Sequence, residues 1–312
     1  MVKNSSRPKV FSSRCLGFAA CRWDGITIQN AFIERLKNHV DFITVCPEVE
    51  IGLGIPRHPI RIVRQNDSFR LIQLNANRDI TDVMTGFVGR FLDSLGAVDA
   101  FILKEHSPSC GLRDVKVYAH PAAEDVIMKT SGFFGAEIIR QYPRFAVETE
   151  ARLAEPSVRE HFLTRLFAIA RFRLAKEKGT IEDLVRFHSE NRFLLSAHSH
   201  KELVAMESIV SKCRKKETRG VFEEYETHLY AAFEGPSDSA ANVDVMVHAL
   251  DYFPERLSSK KRKLFFDSLE KYRQNKIPLT IPLNILKNFI ISFKIDHLLR
   301  QTYFEPYPPE LA

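Results

Sequence analysis

Near residue 148 the spacing of apolar residues changes, and with it the kind of structure the chain can form. Upstream, short β-prone runs alternate with helical patterns. Lys9-Val10-Phe11-Ser12-Ser13 reads as a strand, Ile28 to Val40 as a helix and Asp41-Phe42-Ile43-Thr44-Val45 as a second strand. Asp79 to Leu95 reads as an amphipathic helix ending at Gly96, and Ala100-Phe101-Ile102-Leu103 as a third strand. Strands separated by helices predict parallel pairing with right-handed crossovers, and ligands of such sheets bind outside the carboxyl ends of the strands. Downstream, segments such as REHFLTRLFAIARFRLAKEK and DLVRFHSENRFLLSAHSHKELVAMESIVSKC repeat at the helical period with charged outer faces. The expected fold class is α/β: a small Rossmann-like parallel sheet domain followed by a mainly α-helical C-terminal domain. The expected divisions are residues 1–145 for the sheet domain, 146–180 for a helical connector and 181–312 for an all-helical domain.

Each expected strand leads to a cysteine: Cys15, Cys46 and Cys110, the last within KEHSPSCG. Residues remote along the chain therefore converge on one rim of the predicted sheet. Cys46-Pro47-Glu48 and Ser107-Pro108-Ser109-Cys110-Gly111 place the thiol in turns whose backbone N–H groups can hydrogen-bond sulfur, an arrangement that suits a metal cluster. One cysteine alone reads most simply as a small buried hydrophobe; three at successive strand ends point to ligation. The five cysteines, with Cys21 and Cys213 completing the set, are too scattered for a disulfide framework. Structural zinc wants four ligands and usually local C-x-x-C pairs, which the chain lacks, so a zinc-stabilised structural protein ranks last. Three thiolates suit a 4Fe-4S cluster with one iron left open, a Lewis acid rather than an electron carrier.

The segments SSRCLGFAACRWDG, CPEVEIGLGIPR and KEHSPSCGLRDVKVY resemble, in order and spacing, the three signature loops of the thiouracil desulfidase (TudS) family, over roughly residues 8 to 140. The resemblance implies a 4Fe-4S cluster on Cys15, Cys46 and Cys110. It also implies removal of sulfur from thiolated uracils, including 4-thiouridine monophosphate, without net redox change. It carries Glu48 over as the carboxylate of the CPE loop, expected to activate water. Ser107 is the first serine of SPSCG, expected to hydrogen-bond the ring as charge develops. Arg22, Arg57 and Lys104 stand beside the loops as candidates for holding a nucleotide phosphate, though each alone also reads as a surface cation. Asp24-Gly25 reads as a tight turn. The family's first loop usually runs C-L-L-G with a small apolar residue six places after the cysteine. Here the loop is Cys15-Leu16-Gly17-Phe18, and Cys21 stands at that place. A Cys21 thiolate on the fourth iron would close the open position.

LVRFHSENRFLLSAHSHKEL, NVDVMVHALDYF, YRQNKIPLTIPLNILKNF and QTYFEPYPPEL resemble the YbgA-type helical domain over roughly residues 180 to 312, a domain often fused behind desulfidase domains. Such fusion is an association, not an activity. His188, His198 and His248 could ligate metal or act in acid–base chemistry, the plainer reading being buried or capping histidines. Lys260-Lys261-Arg262-Lys263, with Lys212, Arg214, Lys215 and Lys216 upstream, could meet an RNA backbone, the plainer reading being a solvated helix face. The 45 basic against 39 acidic residues give a net charge of +6, a mild bias toward nucleotides or RNA. MVKNSSRPKV offers no secretory apolar stretch, and no run of about 18 apolar residues occurs. A cytoplasmic protein with no membrane partner is expected. The competing class is an iron-sulfur-stabilised RNA-binding or sensing module whose cluster is fully ligated.

Overall fold

The computed structural model describes residues 7–213, 218–253 and 257–312, so Arg214, Lys215 and Lys216 lie outside the described residues. The chain divides into two compact units, residues 7–162 with 310–312 and residues 163–309.

The first unit opens with β1 (Lys9–Ser13), α1 (Ala31–Leu36) and β2 (Asp41–Val45). Asn30 starts α1 late in the expected helical run because its Oδ1 accepts from the Ile33 N–H at 3.0 Å, a side-chain cap. A single turn, α2 (Pro47–Glu50), follows with Cys46 at its N-cap and Pro47 at the position where a missing N–H costs nothing. Then come β3 (Ile60–Gln65), β4 (Ser68–Gln73), β5 (Arg78–Asp79), α3 (Thr81–Ser94), β6 (Ala100–Leu103), β7 (Val115–Tyr118), β8 (Val126–Thr130), α4 (Phe133–Gln141) and β9 (Ala146–Thr149).

Four strands form a wholly parallel sheet in the order β2-β1-β6-β9. β9 carries this sheet past the boundary expected at residue 145, since Ala146 to Thr149 pairs in register with Ala100 to Leu103. The segment from residue 146 therefore begins as a strand rather than as a helical connector. The four residues of β6 are fully buried, as a strand covered on both faces requires. Phe101 packs on Phe11 at 5.8 Å between ring centroids, and Phe11 on Phe134 of α4 at 5.4 Å. Each such ring contributes roughly 1.5–3 kcal/mol through burial.

A second, five-stranded sheet was not read from the sequence: β5-β4-β3-β7-β8, mixed, with β3 and β7 parallel and the other pairs antiparallel. Its β3–β4 hairpin turns at Asn66-Asp67, where Asn66 takes φ 55°, the left-handed conformation that asparagine tolerates in two-residue hairpin loops.

The helices that follow are α5 (Pro156–Lys178), which runs through the division, α6 (Ile181–His198), α7 (His200–Lys212), α8 (Thr218–Ala232), α9 (Ser239–Leu250), α10 (Ser259–Arg273), α11 (Thr280–Ser292) and α12 (Asp296–Leu299). Thr180, Ser199, Asp238 and Ser258 each cap a helix with a side-chain oxygen, which explains where four of them begin. Tyr225 is fully buried and bonds His188 Nδ1 at 3.0 Å. His198 bonds the Gly235 carbonyl at 3.2 Å, and His248 sits by Asp251. No helix among the described residues is long and apolar enough to cross a membrane.

Candidate functional site

The carboxyl ends of β1, β2 and β6, three adjacent strands, open onto one cavity of about 670 Å³, and Cys15, Cys46 and Cys110 all line it. Cys46 follows β2 directly, and Cys15 follows β1 after one residue. The ends of β1 and β6 are tied together, because the Lys104 N–H donates to Ser13 Oγ at 3.0 Å.

The Cys110 loop is held by the start of α4. That helix has no side-chain cap. Its first N–H groups bond the loop instead: Phe133 to the Pro108 carbonyl at 3.1 Å, and Phe134 and Gly135 to that of Ser109 at 2.8 and 3.1 Å. Gly132 and Gly135 allow this approach. A Cβ on Gly135 would stand 2.4 Å from the Gly111 carbonyl oxygen and 2.7 Å from that of Cys110.

Glu48 is fixed from two sides. Arg57, whose side chain is 2% exposed, donates its Nε–H to Oε2 at 2.8 Å and brings Nη2 within 2.7 Å of the same oxygen as an ion pair. Ser109 Oγ donates to Oε1 at 3.0 Å. An ionised carboxylate offers about four lone-pair sites, two on each oxygen, so the single bond from Ser109 leaves one acceptor site on Oε1. Arg57 Nη1 also bonds the carbonyls of Cys21 and Gly54, so a single guanidinium knits the CPE loop to the first cysteine loop.

Ser107 Oγ accepts from the N–H groups of Ser109 at 3.3 Å and Cys110 at 3.1 Å, shaping the turn. Together with Ser13 it also bonds the Cys110 sulfur. Burial pushes the Cys110 thiol well up, against these two hydroxyls. The Cys46 thiol is raised by its hydrogen bond with Cys21 and then by burial, and the Val49 N–H opposes the shift. Cys21, 2% exposed, is pushed up to about 11, first by its hydrogen bond to Cys15. Cys21 thus interacts with both Cys15 and Cys46, and its carbonyl accepts from Cys46 Sγ at 3.6 Å.

The cations expected to bind phosphate line the same cavity but are already committed. Arg22 forms a two-pronged pair with Asp24 at 3.2 and 3.1 Å, Arg57 holds Glu48, and Lys104 pairs with Glu150. Asp24 also accepts the Ile26 N–H at 3.1 Å, making the expected turn.

Sequence reasoning missed Ser109, the hydroxyl that aims Glu48. Nothing in SPSCG ranks its two serines, and only the fold turns the second toward the carboxylate. It also missed the side chains that the second sheet sends to the cavity, Arg61, Lys116, Tyr118 and Lys129. The alternation in IRIVRQ and the hairpin signal at Asn66-Asp67 could have revealed that sheet. Among the described residues, no three of His, Cys, Asp and Glu stand as a single metal ion would require.

Residues 10–150 match the family model described as 2-thiouracil desulfurase, and residues 192–308 match protein of unknown function DUF1722. Uncharacterized protein YbgA of Escherichia coli strain K12 is 25% identical over 148 residues, which is 47% of this chain and 88% of that protein. Uncharacterized protein YbbK of Bacillus subtilis strain 168 is 28% identical over 110 residues, 33% of this chain and 72% of that protein. Among solved structures, the 4Fe-4S-dependent thiouracil desulfidase TudS is similar at 27% identity, covering 47% of this chain and 94% of that one, with a TM-score of 0.38.

Proposed function

We propose that the chain, whose residues 10–150 match the 2-thiouracil desulfurase family model and residues 192–308 that of DUF1722, hydrolytically removes sulfur from thiolated uracils or 4-thiouridine monophosphate, on a 4Fe-4S cluster held by Cys15, Cys46 and Cys110. The observation that carries this reading is the meeting, around one cavity, of three strand-end thiols and a carboxylate oriented by Arg57 and Ser109. The donors fit the cluster: soft sulfur ligands on three separate loops, one of them hydrogen-bonded by the hydroxyls of Ser13 and Ser107. When bound, such a cluster supplies an iron without a protein ligand, a Lewis acid that polarises a carbon–sulfur bond.

The chain's own residues supply the rest. The remaining acceptor site on Glu48 Oε1 takes a proton from water, so that the oxygen can attack the thiocarbonyl carbon. The arithmetic is C=S plus water giving C=O plus hydrogen sulfide, with no change of oxidation state. Arg57 and Ser109 keep the carboxylate from turning away, which supplies orientation before reaction. Ser107, at the cavity wall, can turn its hydroxyl proton toward a ring heteroatom as negative charge develops there.

One observation favours a second reading, a sensing module with a closed cluster: Cys21 lines the same cavity as Cys15 and Cys46 and interacts with both. RNA contact through Lys260 to Lys263 and residence in the cytoplasm belong to the proposal in either reading. The test is anaerobic reconstitution of the full chain, then incubation with 4-thiouridine monophosphate. The long-wavelength absorption should fall as sulfide appears, and Cys110→Ser should abolish both. A fully loaded parent protein that releases no sulfide from any thiolated uracil, with release beginning only in Cys21→Ser, would favour the closed-cluster reading instead.

A further inference from the structure

Cys21 is the thiol at the cavity that the proposed hydrolysis does not use. Its loop folds back on itself. The Leu16 N–H bonds the Ser13 carbonyl at 3.0 Å, Gly17 takes φ 81°, and the Ala19 N–H returns to the Arg14 carbonyl at 3.0 Å. Glycine supplies this left-handed turn without steric cost. The reversal sets Cys21 against Cys15, with which it shares a hydrogen bond. Cys21 is held from its other side as well: Arg57 Nη1 donates to its carbonyl at 2.9 Å, and Cys46 Sγ donates to the same oxygen at 3.6 Å. Cys15 and Cys21 both line the cavity.

The thiols differ in exposure. Cys15 is half-buried, whereas Cys21, Cys46 and Cys110 are buried. Oxidation of a thiol follows its access to solvent, so a small oxidant entering the cavity of the cluster-free chain meets Cys15 first. The fate of the oxidised sulfur is then decided by its neighbour. A sulfenic acid beside a second thiol condenses to a disulfide, which a dithiol reverses; one without such a neighbour proceeds to the sulfinic acid, which a dithiol does not reverse.

We propose that Cys15 and Cys21 form a reversible disulfide when the cluster is absent and a peroxide is present, so that Cys21 protects a cluster ligand from permanent oxidation. Peroxide oxidises the Cys15 thiol to the sulfenic acid and is reduced to water. The Cys21 sulfur then attacks the Cys15 sulfur: the S–S bond forms, the S–O bond breaks, and the oxygen leaves as water with the Cys21 proton. In sum, two thiols and hydrogen peroxide give a disulfide and two waters, and the sulfurs lose the two electrons that the peroxide gains. The bridge withholds Cys15 from the cluster until a dithiol returns it. The inference rests on Cys15 as a cluster ligand and is independent of the substrate.

The test treats the full chain, freed of iron by a chelator and reduced, with hydrogen peroxide, then digests it with trypsin without reductant. Arg14 and Arg22 flank the pair with no lysine or arginine between them, so both thiols fall in the peptide from Cys15 to Arg22. That peptide should become lighter by two hydrogen atoms and stop reacting with iodoacetamide, and the chain should take up no cluster. After dithiothreitol, iron bound per chain should return to that of the untreated protein. In Cys21→Ser the same treatment should leave the peptide heavier by two oxygen atoms, and the iron regained should fall at least about five-fold. Trp23 fluorescence checks that the variant is folded. No bridge, a bridge from Cys15 to Cys46 or Cys110, or full recovery of iron in Cys21→Ser would overturn the inference. So would an untreated Cys21→Ser that cannot hold the cluster its parent holds, which would make Cys21 a ligand. Because the readouts are peptide mass and iron, a loaded chain that releases no sulfide removes the desulfidase reading alone, and a missing bridge with normal sulfide release removes this inference alone.

Discussion

Replacing Arg57 by methionine should destabilise the first unit by about 3 kcal/mol, the lower end of the cost of breaking a buried ion pair from one side. The guanidinium makes one hydrogen bond and a second ion-pair contact to Glu48, and one bond each to the carbonyls of Cys21 and Gly54. Methionine keeps the volume and deletes all four. Glu48, 13% exposed, would then hold its charge with Ser109 alone, and its partial access to water is why the lower figure applies. The chain has one tryptophan, Trp23, which lies in this unit, so its fluorescence reports unfolding here without interference from the helical unit. At an m-value of about 2 kcal/mol/M, the urea midpoint of the reduced, cluster-free chain should fall by about 1.5 M. Removing both charges with Arg57→Met and Glu48→Met should return the midpoint to within about 0.5 M of the parent, because no unpaired charge remains buried. A single variant that melts like the parent would refute the account. So would a double variant no better than the single, and the role of Arg57 would revert to substrate binding, where the sequence first put it.

Ser109→Ala should lower kcat about ten-fold with KM within two-fold and the cluster absorption unchanged, since the lost bond to a charged carboxylate is worth roughly 1.5–3 kcal/mol; a change confined to KM would contradict an orienting role. Gly135→Ala should destabilise the first unit by about 1–3 kcal/mol and reduce iron bound per chain, against the roughly 1 kcal/mol that alanine ordinarily adds to a helix interior, because its Cβ meets the Cys110 and Gly111 carbonyls. A stabilised, fully loaded Gly135→Ala protein would show that the loop is not pinned there. His188 is held below the usual histidine range by burial. As pH falls through about 6.5 the unfolded chain takes up this proton first. The helical unit should therefore lose stability, by at most about 1.4 kcal/mol per pH unit, until the folded histidine also protonates. Thermal melts by circular dichroism between pH 7.5 and 5.5 should show a shallower pH dependence in His188→Gln; an identical slope would assign the loss to other groups.

Much of the fold was legible because its signals are local. The alternation of strand and helix, the ends of β1, β2 and β6, and the cysteines beyond them all depend on residues within a few positions of one another. The switch to helical period near residue 148 likewise belongs to the chain alone, apart from β9, four residues too short to show a period. The second sheet hid because its strands are half-exposed, so the alternation that marks them is faint: Arg61, Arg64, Arg70 and Lys116 interrupt the apolar runs of β3, β4 and β7.

What sequence by itself determined was therefore which thiols leave which strand ends, since a backbone's direction and its turns are decided by near neighbours. Tertiary structure alone decided which cation meets which acid. Arg57 finds Glu48 nine residues away and Lys104 finds Glu150 forty-six residues away, while Lys116 finds no acid among the described residues and faces Lys129. Coulomb attraction depends on distance through space, and no spacing along a chain encodes that distance until the sheets have closed around the site.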